Sequence, residues 1–154
     1  MNGSQGSPNL PVENGVAGYN LPLFDEPASP IFGQYTHEHT KRWAAKIASF
    51  DAYVFVTPEY NHGISGALKN AIDYLYREWN NKAAGFVSYG GAGGARAVEH
   101  LRLVMAELMV ATVRAQVMLS MFNDFENFKT FKPSPSARLK CTGCSMSWSR
   151  GAVR

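Results

Sequence analysis

Apolar and polar positions along this chain follow their clearest pattern between residues 52 and 76. Residues 52–57 form a short apolar run of the kind that marks a strand buried on both faces. Pro58 ends the strand, because a residue without an N–H cannot continue a central ladder. Helical spacing follows, so the pattern predicts a strand, a tight turn and a helix in succession. The apolar positions of this helix are Ile64, Leu68, Ala71, Ile72 and Leu75.

Strands and helices continue to alternate on both sides of this segment. Residues 37–50 read as a helix, and residues 83–89 and 112–118 read as two further strands. A glycine-rich turn at residues 88–97 leads into a long helix that ends near residue 110. The expected core positions are Trp43, Ile47 and Phe50 in the first helix, Ala97, Leu101, Val104, Met105 and Leu108 in the last, and the alternating Val113, Ala115 and Val117. This alternation predicts an α/β fold with a parallel sheet covered on both faces.

Two turns follow strands of this expected sheet, at residues 58–65 and 88–94. In open α/β sheets, ligands bind in the crevice outside the carboxyl ends of the strands. Because the two strands are expected to run parallel, both turns should face one crevice. The sequence therefore predicts a ligand site formed by these two turns.

The stretch TPEYNHGISGALKNAIDYL closely resembles the flavin-contact segment of the NADPH-dependent FMN reductases. The resemblance continues through NKAAGFVSYGGAGG and extends from about Tyr19 to Phe128. It implies a flavodoxin-like three-layer sandwich that uses FMN to pass electrons from NADPH or NADH to a small-molecule acceptor. Quinones, free flavins and related compounds are the implied acceptors. The resemblance also implies a homodimer or homotetramer, in which a neighbouring subunit closes the flavin site.

The resemblance further implies that the first turn holds one edge of the flavin. The implied cofactor-binding residues there are Pro58, Glu59, Tyr60, Asn61 and His62. Backbone N–H groups from Glu59 onward would face the ring, Tyr60 would pack beside it, and Asn61 and His62 would hydrogen-bond it or the nicotinamide. Hydride transfer to a flavin needs no side-chain base, so for Glu59 we expect a backbone role or a subunit contact. The alternative is an ordinary turn at the end of a strand, where asparagine is common.

The second turn adds Ser88, Tyr89, Gly90 and Gly91 to the implied cofactor-binding residues, with Gly94 completing the loop. A glycine-rich approach to a helix N-terminus lets the backbone come close to a ligand. Many turns from a strand to a helix carry glycines, so this loop gains its meaning from its place beside the first turn.

The two ends of the chain differ from its middle. We interpret residues 1–18 as loop or disorder, residues 19–132 as a partial flavodoxin-like domain, and residues 133–154 as a mobile basic tail. The family's opening strand and phosphate loop have no match here, so we expect a domain truncated at its N-terminus that binds FMN weakly. The alternative function is a non-catalytic remnant of the fold, with weak or no flavin binding.

The amino-acid composition limits the class of protein, its location and its partners. Apolar residues make up 45% of the chain, which argues against global disorder. The chain lacks an apolar run of the roughly 18 residues that span a bilayer, and it has no secretory signal, so we expect a cytoplasmic protein without membrane contact. Net charge is +3, but the basic excess lies in the tail, so no nucleic-acid partner is expected.

Cysteine and histidine are the remaining candidates for metal binding or thiol redox chemistry. Cys141 and Cys144 have the C-x-x-C spacing of half a zinc site or of a redox pair. The chain has no second pair of cysteines, and this pair lies in a polar tail, so we interpret both as incidental thiols. His37, His39 and His100 lack ligand spacing with them and are expected at the surface. The sequence therefore predicts no metal site.

Overall fold

A computed structural model of the chain describes residues 15–135 and residue 137. Three helices, five strands and three short 3₁₀ turns make up this part of the chain. In chain order the helices and strands are α1 (Glu38–Ala48), β1 (Ala52–Pro58), α2 (Gly66–Asp73), β2 (Ala83–Gly90), α3 (Ala95–Glu107), β3 (Ala111–Ser120), β4 (Phe125–Glu126) and β5 (Thr130–Phe131). The 3₁₀ turns are Val16–Tyr19, Pro30–Phe32 and Arg77–Trp79. The predicted helices and strands all exist, and their boundaries shift by a few residues.

The main sheet has three parallel strands in the order β1-β2-β3, with β2 at the centre. Ala52 lies opposite Ala83, and Ala83 lies opposite Ala111. Strands β4 and β5 form a separate antiparallel hairpin. Helices connect the parallel strands, so the predicted α/β fold with a parallel sheet is confirmed.

One large core lies on one face of this sheet. Tyr53 and Phe55 of β1 face it, together with Phe86 of β2 and buried side chains from all three helices. Trp43 and Trp79 belong to this core, and each indole N–H donates to a backbone carbonyl of α2. Aromatic side chains with a satisfied polar group suit such a core, because they bury a large area without an unpaired donor.

Among residues 15–135 and 137, no element covers the opposite face of β1, which corrects the prediction that this strand is buried on both faces. Val54 and Val56 are 59% and 63% exposed, whereas their neighbours Tyr53, Phe55 and Thr57 are buried. A smaller cluster of Val117, Leu119 and Ala137 covers this face at β3 and packs against Val87 and Tyr89 of β2. An apolar run predicts strand formation, but it does not reveal whether another element covers the second face.

Two further core predictions are wrong. Phe50 is 40% exposed, because α1 ends at Ala48 and the chain turns away toward β1 before residue 50. In β3 the expected alternation fails: Val117 and Leu119 are buried, whereas Ala115 is exposed. The pairing shifts by two residues between Ala84–Thr112 and Phe86–Gln116, so residues 113–115 bulge from the ladder and do not follow its regular alternation.

Part of the expected tail contacts the sheet. Ser134 donates its N–H to Asp124 Oδ1 at 2.9 Å, and Ala137 is 3% exposed against Val117 and Leu119. Residues 136 and 138–154, which include Cys141 and Cys144, lie outside the described residues, as do residues 1–14. The domain boundaries at 18 and 132 stay predictions. Within the described part of the chain, the longest apolar helix falls short of what a bilayer crossing requires.

Helix α2, which follows the first turn of the predicted site, begins at a side-chain cap. The Ser65 hydroxyl accepts a hydrogen bond from the Leu68 N–H at 3.3 Å. Such a cap satisfies a donor that the first turn of a helix otherwise leaves unpaired. It therefore fixes where the loop after β1 ends.

Replacing Ser65 with alanine should lower the free energy of unfolding by about 1 kcal/mol, the usual contribution of a serine cap. Urea denaturation followed by tryptophan fluorescence measures the change. Ser29 offers a matched control, because it precedes a 3₁₀ turn without a capping hydrogen bond from its side chain. Equal losses in Ser65→Ala and Ser29→Ala would contradict a specific capping role.

Candidate functional site

The two predicted turns lie side by side at the carboxyl end of the sheet. Pro58 lies opposite Tyr89 in the β1–β2 pair, and the Glu59 N–H donates to the Tyr89 carbonyl at 3.0 Å. The loop after β3 joins them, because the Met121 N–H donates to the Gly90 carbonyl at 3.1 Å. The structure thus brings three loops to the edge where open α/β sheets bind ligands.

The first turn is a tight two-residue loop closed on itself. Tyr60 and Gly63 exchange both of their backbone hydrogen bonds, at 3.0 and 2.9 Å. Between them, Asn61 and His62 have φ angles of 47° and 72°. Positive φ at both central residues defines the type of turn that reverses a chain most tightly, and asparagine and histidine tolerate it better than most residues. Asn61 and His62 therefore project from the sheet edge.

This geometry corrects the expected row of N–H donors. The Glu59 and Tyr60 N–H groups are engaged within the protein, so the row begins at Asn61 and not at Glu59. Among the described residues, no acceptor receives the N–H groups of Asn61 and His62. The available donors are thus two adjacent amides at the tip of the turn.

The Glu59 side chain points inward and caps helix α3. It is 4% exposed, and its carboxylate accepts from the backbone N–H groups of Arg96 at 3.1 Å and Ala97 at 3.3 Å. The residue before α3 is Gly94, which has no side chain with which to cap the helix. A carboxylate at a helix N-terminus satisfies free donors and interacts favourably with the helix dipole. Glu59 therefore fastens the first turn to the second.

Arg96 completes this connection. Its Nε donates to Glu59 Oε1 at 2.6 Å, its Nη2 pairs with the same oxygen, and its Nη1 lies 2.8 Å from His62 Nε2. Arginine can only donate, so His62 Nε2 is the acceptor in this contact. Sequence reasoning missed Arg96, although a basic residue in the first turn of a helix is unfavourable unless an acid lies beside it.

The same contacts set the protonation of Glu59. Burial of the carboxyl raises its pKa, but the hydrogen bonds from Arg96 and from the Ala97 N–H outweigh this effect. Together they hold the pKa of Glu59 below its ordinary value. Glu59 is therefore an anion at neutral pH and unsuited to act as a proton donor there.

In the second loop, the side chains of Ser88 and Tyr89 pack into the fold, whereas the backbone at Gly91 is open. Ser88 is fully buried and donates to the Gly93 carbonyl at 2.7 Å, and the Tyr89 ring lies 6.2 Å from the ring of Phe125. A Cβ on Gly90 would lie 3.4 Å from Glu59 Cβ, so this residue packs against the first turn. On Gly91, a Cβ would meet nothing closer than Phe122 Cε2 at 4.0 Å. Gly91 is therefore the open position of the loop.

Tyr60 occupies the outer side of the first turn. It is 63% exposed, and none of the described aromatic rings stacks against it. An exposed tyrosine ring beside two free N–H groups offers an apolar surface next to polar donors. The nine predicted cofactor-binding residues thus divide into an outer group around Tyr60, Asn61, His62 and Gly91 and an inner, supporting group.

Two grooves elsewhere on the surface contain none of these residues. One, of about 640 Å³, lies among Ile31, Tyr76 and Leu103. The other, of about 560 Å³, lies between α3 and β3 near Glu99 and Gln116. Neither is lined by Tyr60, Asn61, His62 or Gly91, so we do not assign the site to them. In the described part of the chain the candidate site is an open surface and not an enclosed cavity. We call this surface, formed by Tyr60, Asn61, His62 and Gly91, the shelf.

Histidines and acids outside the shelf do not gather into a metal centre. Within residues 15–135, no three His, Cys, Asp or Glu side chains are placed to share a metal ion. His37 and His39 stack on each other with ring centroids 5.2 Å apart, and His39 Nε2 lies 3.0 Å from Asp25 Oδ1. The prediction that Cys141 and Cys144 are incidental thiols falls outside the described residues.

Comparisons with known proteins identify the family of this chain. The family of NADPH-dependent FMN reductases matches residues 12–124. The NAD(P)H-dependent FMN reductase ntnL of Nectria sp is 52% identical over 98 residues, which cover 58% of this chain and 49% of that protein. An NAD(P)H:quinone oxidoreductase of Solanum tuberosum is 49% identical over 63 residues, which cover 38% and 32%. The chain thus spans half or less of the length of these two relatives.

A solved structure extends the comparison to the fold. FerB, a flavoenzyme NAD(P)H:(acceptor) oxidoreductase from Paracoccus denitrificans, superposes with a TM-score of 0.61. The superposition covers 82% of this chain and 71% of FerB at 20% sequence identity, which supports the flavodoxin-like fold alone. The family match covers most of the chain and contains both turns of the candidate site. This chain therefore belongs to the NADPH-dependent FMN reductase family.

Proposed function

We propose that this chain acts as an FMN-dependent oxidoreductase that passes electrons from NADPH or NADH to a quinone, a free flavin or a related small molecule. The observation that carries the proposal is the pair of unengaged N–H groups at Asn61 and His62. They project from the carboxyl end of the sheet, beside the open backbone of Gly91. Family membership supports the same reading.

The residues of the shelf fit a flavin. The pyrimidine edge of an isoalloxazine ring carries carbonyl and ring-nitrogen acceptors, and two adjacent N–H donors are complementary to it. A flat ring also needs a wall without side chains, which Gly91 provides because nothing lies closer than 4.0 Å to its missing Cβ. FMN, when bound, supplies the hydride and electron chemistry.

The protein's own residues would then bind and orient the cofactor. Asn61 and His62 would donate to its polar edge, and the exposed Tyr60 ring would pack beside it. Glu59 and Arg96 would hold the first turn against α3, so that the donors stay in place between reaction cycles. Such positioning contributes to catalysis, because a ring held in one orientation needs no rearrangement before each transfer.

We also propose the assembly and location that the family resemblance implies: a homodimer or homotetramer in the cytoplasm. The exposed Val54 and Val56 side chains support association, because adjacent exposed apolar residues favour burial between subunits. Light scattering of the purified chain measures the mass directly, and a monomer at all concentrations would contradict this assembly.

Replacing Gly91 with valine should weaken FMN binding at least tenfold, about 1.4 kcal/mol, because the side chain would occupy the space intended for the ring. Fluorescence quenching during titration of the purified chain with FMN measures the affinity. Gly15→Val is the matched control, since Gly15 also has open space around it, lies in another part of the fold and has a φ of −55°.

Three outcomes separate the alternatives. Weaker binding in Gly91→Val alone supports the proposed site, and equal affinity in both variants contradicts it. If the parent chain is purified without colour and does not quench FMN fluorescence even at high FMN concentrations, the non-catalytic remnant would instead be favoured. Oxidation of NADPH with added FMN and quinone, followed at the absorbance of NADPH, then tests turnover directly.

A further inference from the structure

Two phenylalanines stand exposed beside the candidate site. Phe122 is 68% exposed and Phe128 is 60% exposed, yet their rings contact each other at right angles with centroids 5.6 Å apart. Exposed apolar groups that cluster are more informative than isolated ones, because adjacent exposed rings often mark a binding surface. We call these two residues the phenylalanine pair.

The pair belongs to the same sheet edge as the two turns of the flavin site. Phe122 Cε2 lies 4.0 Å from the position of a Cβ on Gly91, so its ring borders the open side of the glycine loop. The preceding residue, Met121, is hydrogen-bonded to Gly90. The pair is therefore continuous with the shelf and not a separate patch elsewhere on the surface.

Phe128 adopts a backbone conformation that its side chain disfavours. Its φ is 57°, and the preceding Asn127 has a φ of 51°, in the turn that joins β4 to β5. Bulky L residues in the left-handed region cost about 1–2 kcal/mol relative to ordinary conformations, a penalty that glycine avoids. Strain and exposure at one residue indicate that the ring serves something other than stability.

A buried carboxylate holds the loop beneath the pair. Asp124 is 4% exposed, and its side chain accepts from the N–H groups of Ser120 at 2.8 Å and Ser134 at 2.9 Å. Its carbonyl also accepts from the Lys132 N–H at 2.8 Å. The phenylalanine pair is thus presented from an anchored support, which lowers the entropy lost when a ligand binds.

We propose that the phenylalanine pair binds the flat, uncharged ring of the electron acceptor, of the quinone class. Two perpendicular rings offer a third ring both a face and an edge, the two arrangements that aromatic contacts prefer. The polar donors of Asn61 and His62 suit the flavin, whereas the apolar pair suits a neutral acceptor. This inference rests on the proposed function and assigns the electron acceptor residues other than those that bind the flavin.

The test compares the parent chain with the double variant Phe122→Leu, Phe128→Gly. Leucine keeps apolar volume without an aromatic face, and glycine relieves the positive φ, so stability should stay equal or rise while acceptor binding falls. Phe32→Leu is the matched control, because Phe32 is 58% exposed and lies outside the three loops of the shelf. Titration calorimetry with menadione, and separately with FMN, gives both affinities.

We expect menadione affinity to fall at least fivefold in the double variant, with FMN affinity unchanged and Phe32→Leu like the parent. A parent that does not bind menadione, or equal menadione affinity in parent and double variant, would overturn the inference. An equal loss of FMN affinity would assign the pair to the cofactor, and a smaller mass in light scattering would assign it to a second copy; either would also overturn it. Absence of FMN binding in the parent would count against the proposed function alone.

Discussion

Replacing Glu59 with alanine should lower the free energy of unfolding by about 2–3 kcal/mol, because the N–H groups of Arg96 and Ala97 lose their acceptor in a poorly hydrated position. Loss of the ion pair adds little to this figure, since the Arg96 side chain is 44% exposed. Urea unfolding at neutral pH measures the change. Glu99→Ala on the same helix is the control, because Glu99 is exposed and substitution there should change stability by no more than about 0.5 kcal/mol.

The stabilisation that Glu59 provides should also decrease as the pH falls. The pKa of Glu59 is lowered in the folded chain, so its charged form stabilises the fold above the ordinary carboxyl range. That stabilisation is lost as the pH falls through the lowered value. The difference in stability between the parent and Glu59→Gln should therefore be full at pH 7 and shrink below about pH 4. A constant difference from pH 7 to pH 3 would show that the charge of Glu59 does not contribute.

Replacing Gly94 with valine should destabilise the chain by about 2–5 kcal/mol. Its φ of 72° disfavours any side chain, and a Cβ there would lie 2.6 Å from Ser88 Cβ and 2.9 Å from the Tyr89 N atom. Left-handed strain contributes about 1–2 kcal/mol, and overpacking against a buried strand contributes about 1–3 kcal/mol. Thermal and urea unfolding, followed by circular dichroism, measure the loss.

Gly91→Val is the matched control for this substitution. It makes the same chemical change in the same loop, but in open space and without a positive φ, so stability should stay within about 0.5 kcal/mol. The two variants therefore separate the roles of the glycines: Gly94 lets the loop pack, and Gly91 keeps the shelf open. Similar unfolding midpoints for the two variants would argue against this division.

The parts of the fold that depend on local sequence could be predicted. Apolar periodicity located β1 at residues 52–57 and β2 at residues 83–89, and the observed strands are Ala52–Pro58 and Ala83–Gly90. Turn chemistry located the loop that follows each strand, because Pro58 ends the first strand and the glycines permit tight turns. Parallel pairing then brought both loops to one edge, which made the location of the candidate site predictable as well.

What escaped prediction depends on contacts between distant residues. Glu59 and Arg96 are 37 positions apart, and no local pattern indicates that the carboxylate of one turn caps the next helix. A similar long-range contact lies just before α1, where Glu26 accepts from the N–H groups of Thr36 and His37. The open face of β1 at Val54 and Val56 was equally hidden, since an exposed and a covered apolar strand share one pattern.

The strand order β1-β2-β3 has a consequence for how the sheet assembles. In this sheet each strand pairs with the strand that precedes or follows it in the chain, so the first neighbour of β2 is synthesised before β3. No strand needs to insert between two partners that are already joined. During translation, the chain can therefore complete the β1–α2–β2 unit while β3 is still within the ribosome, and then add β3 to the free edge of β2.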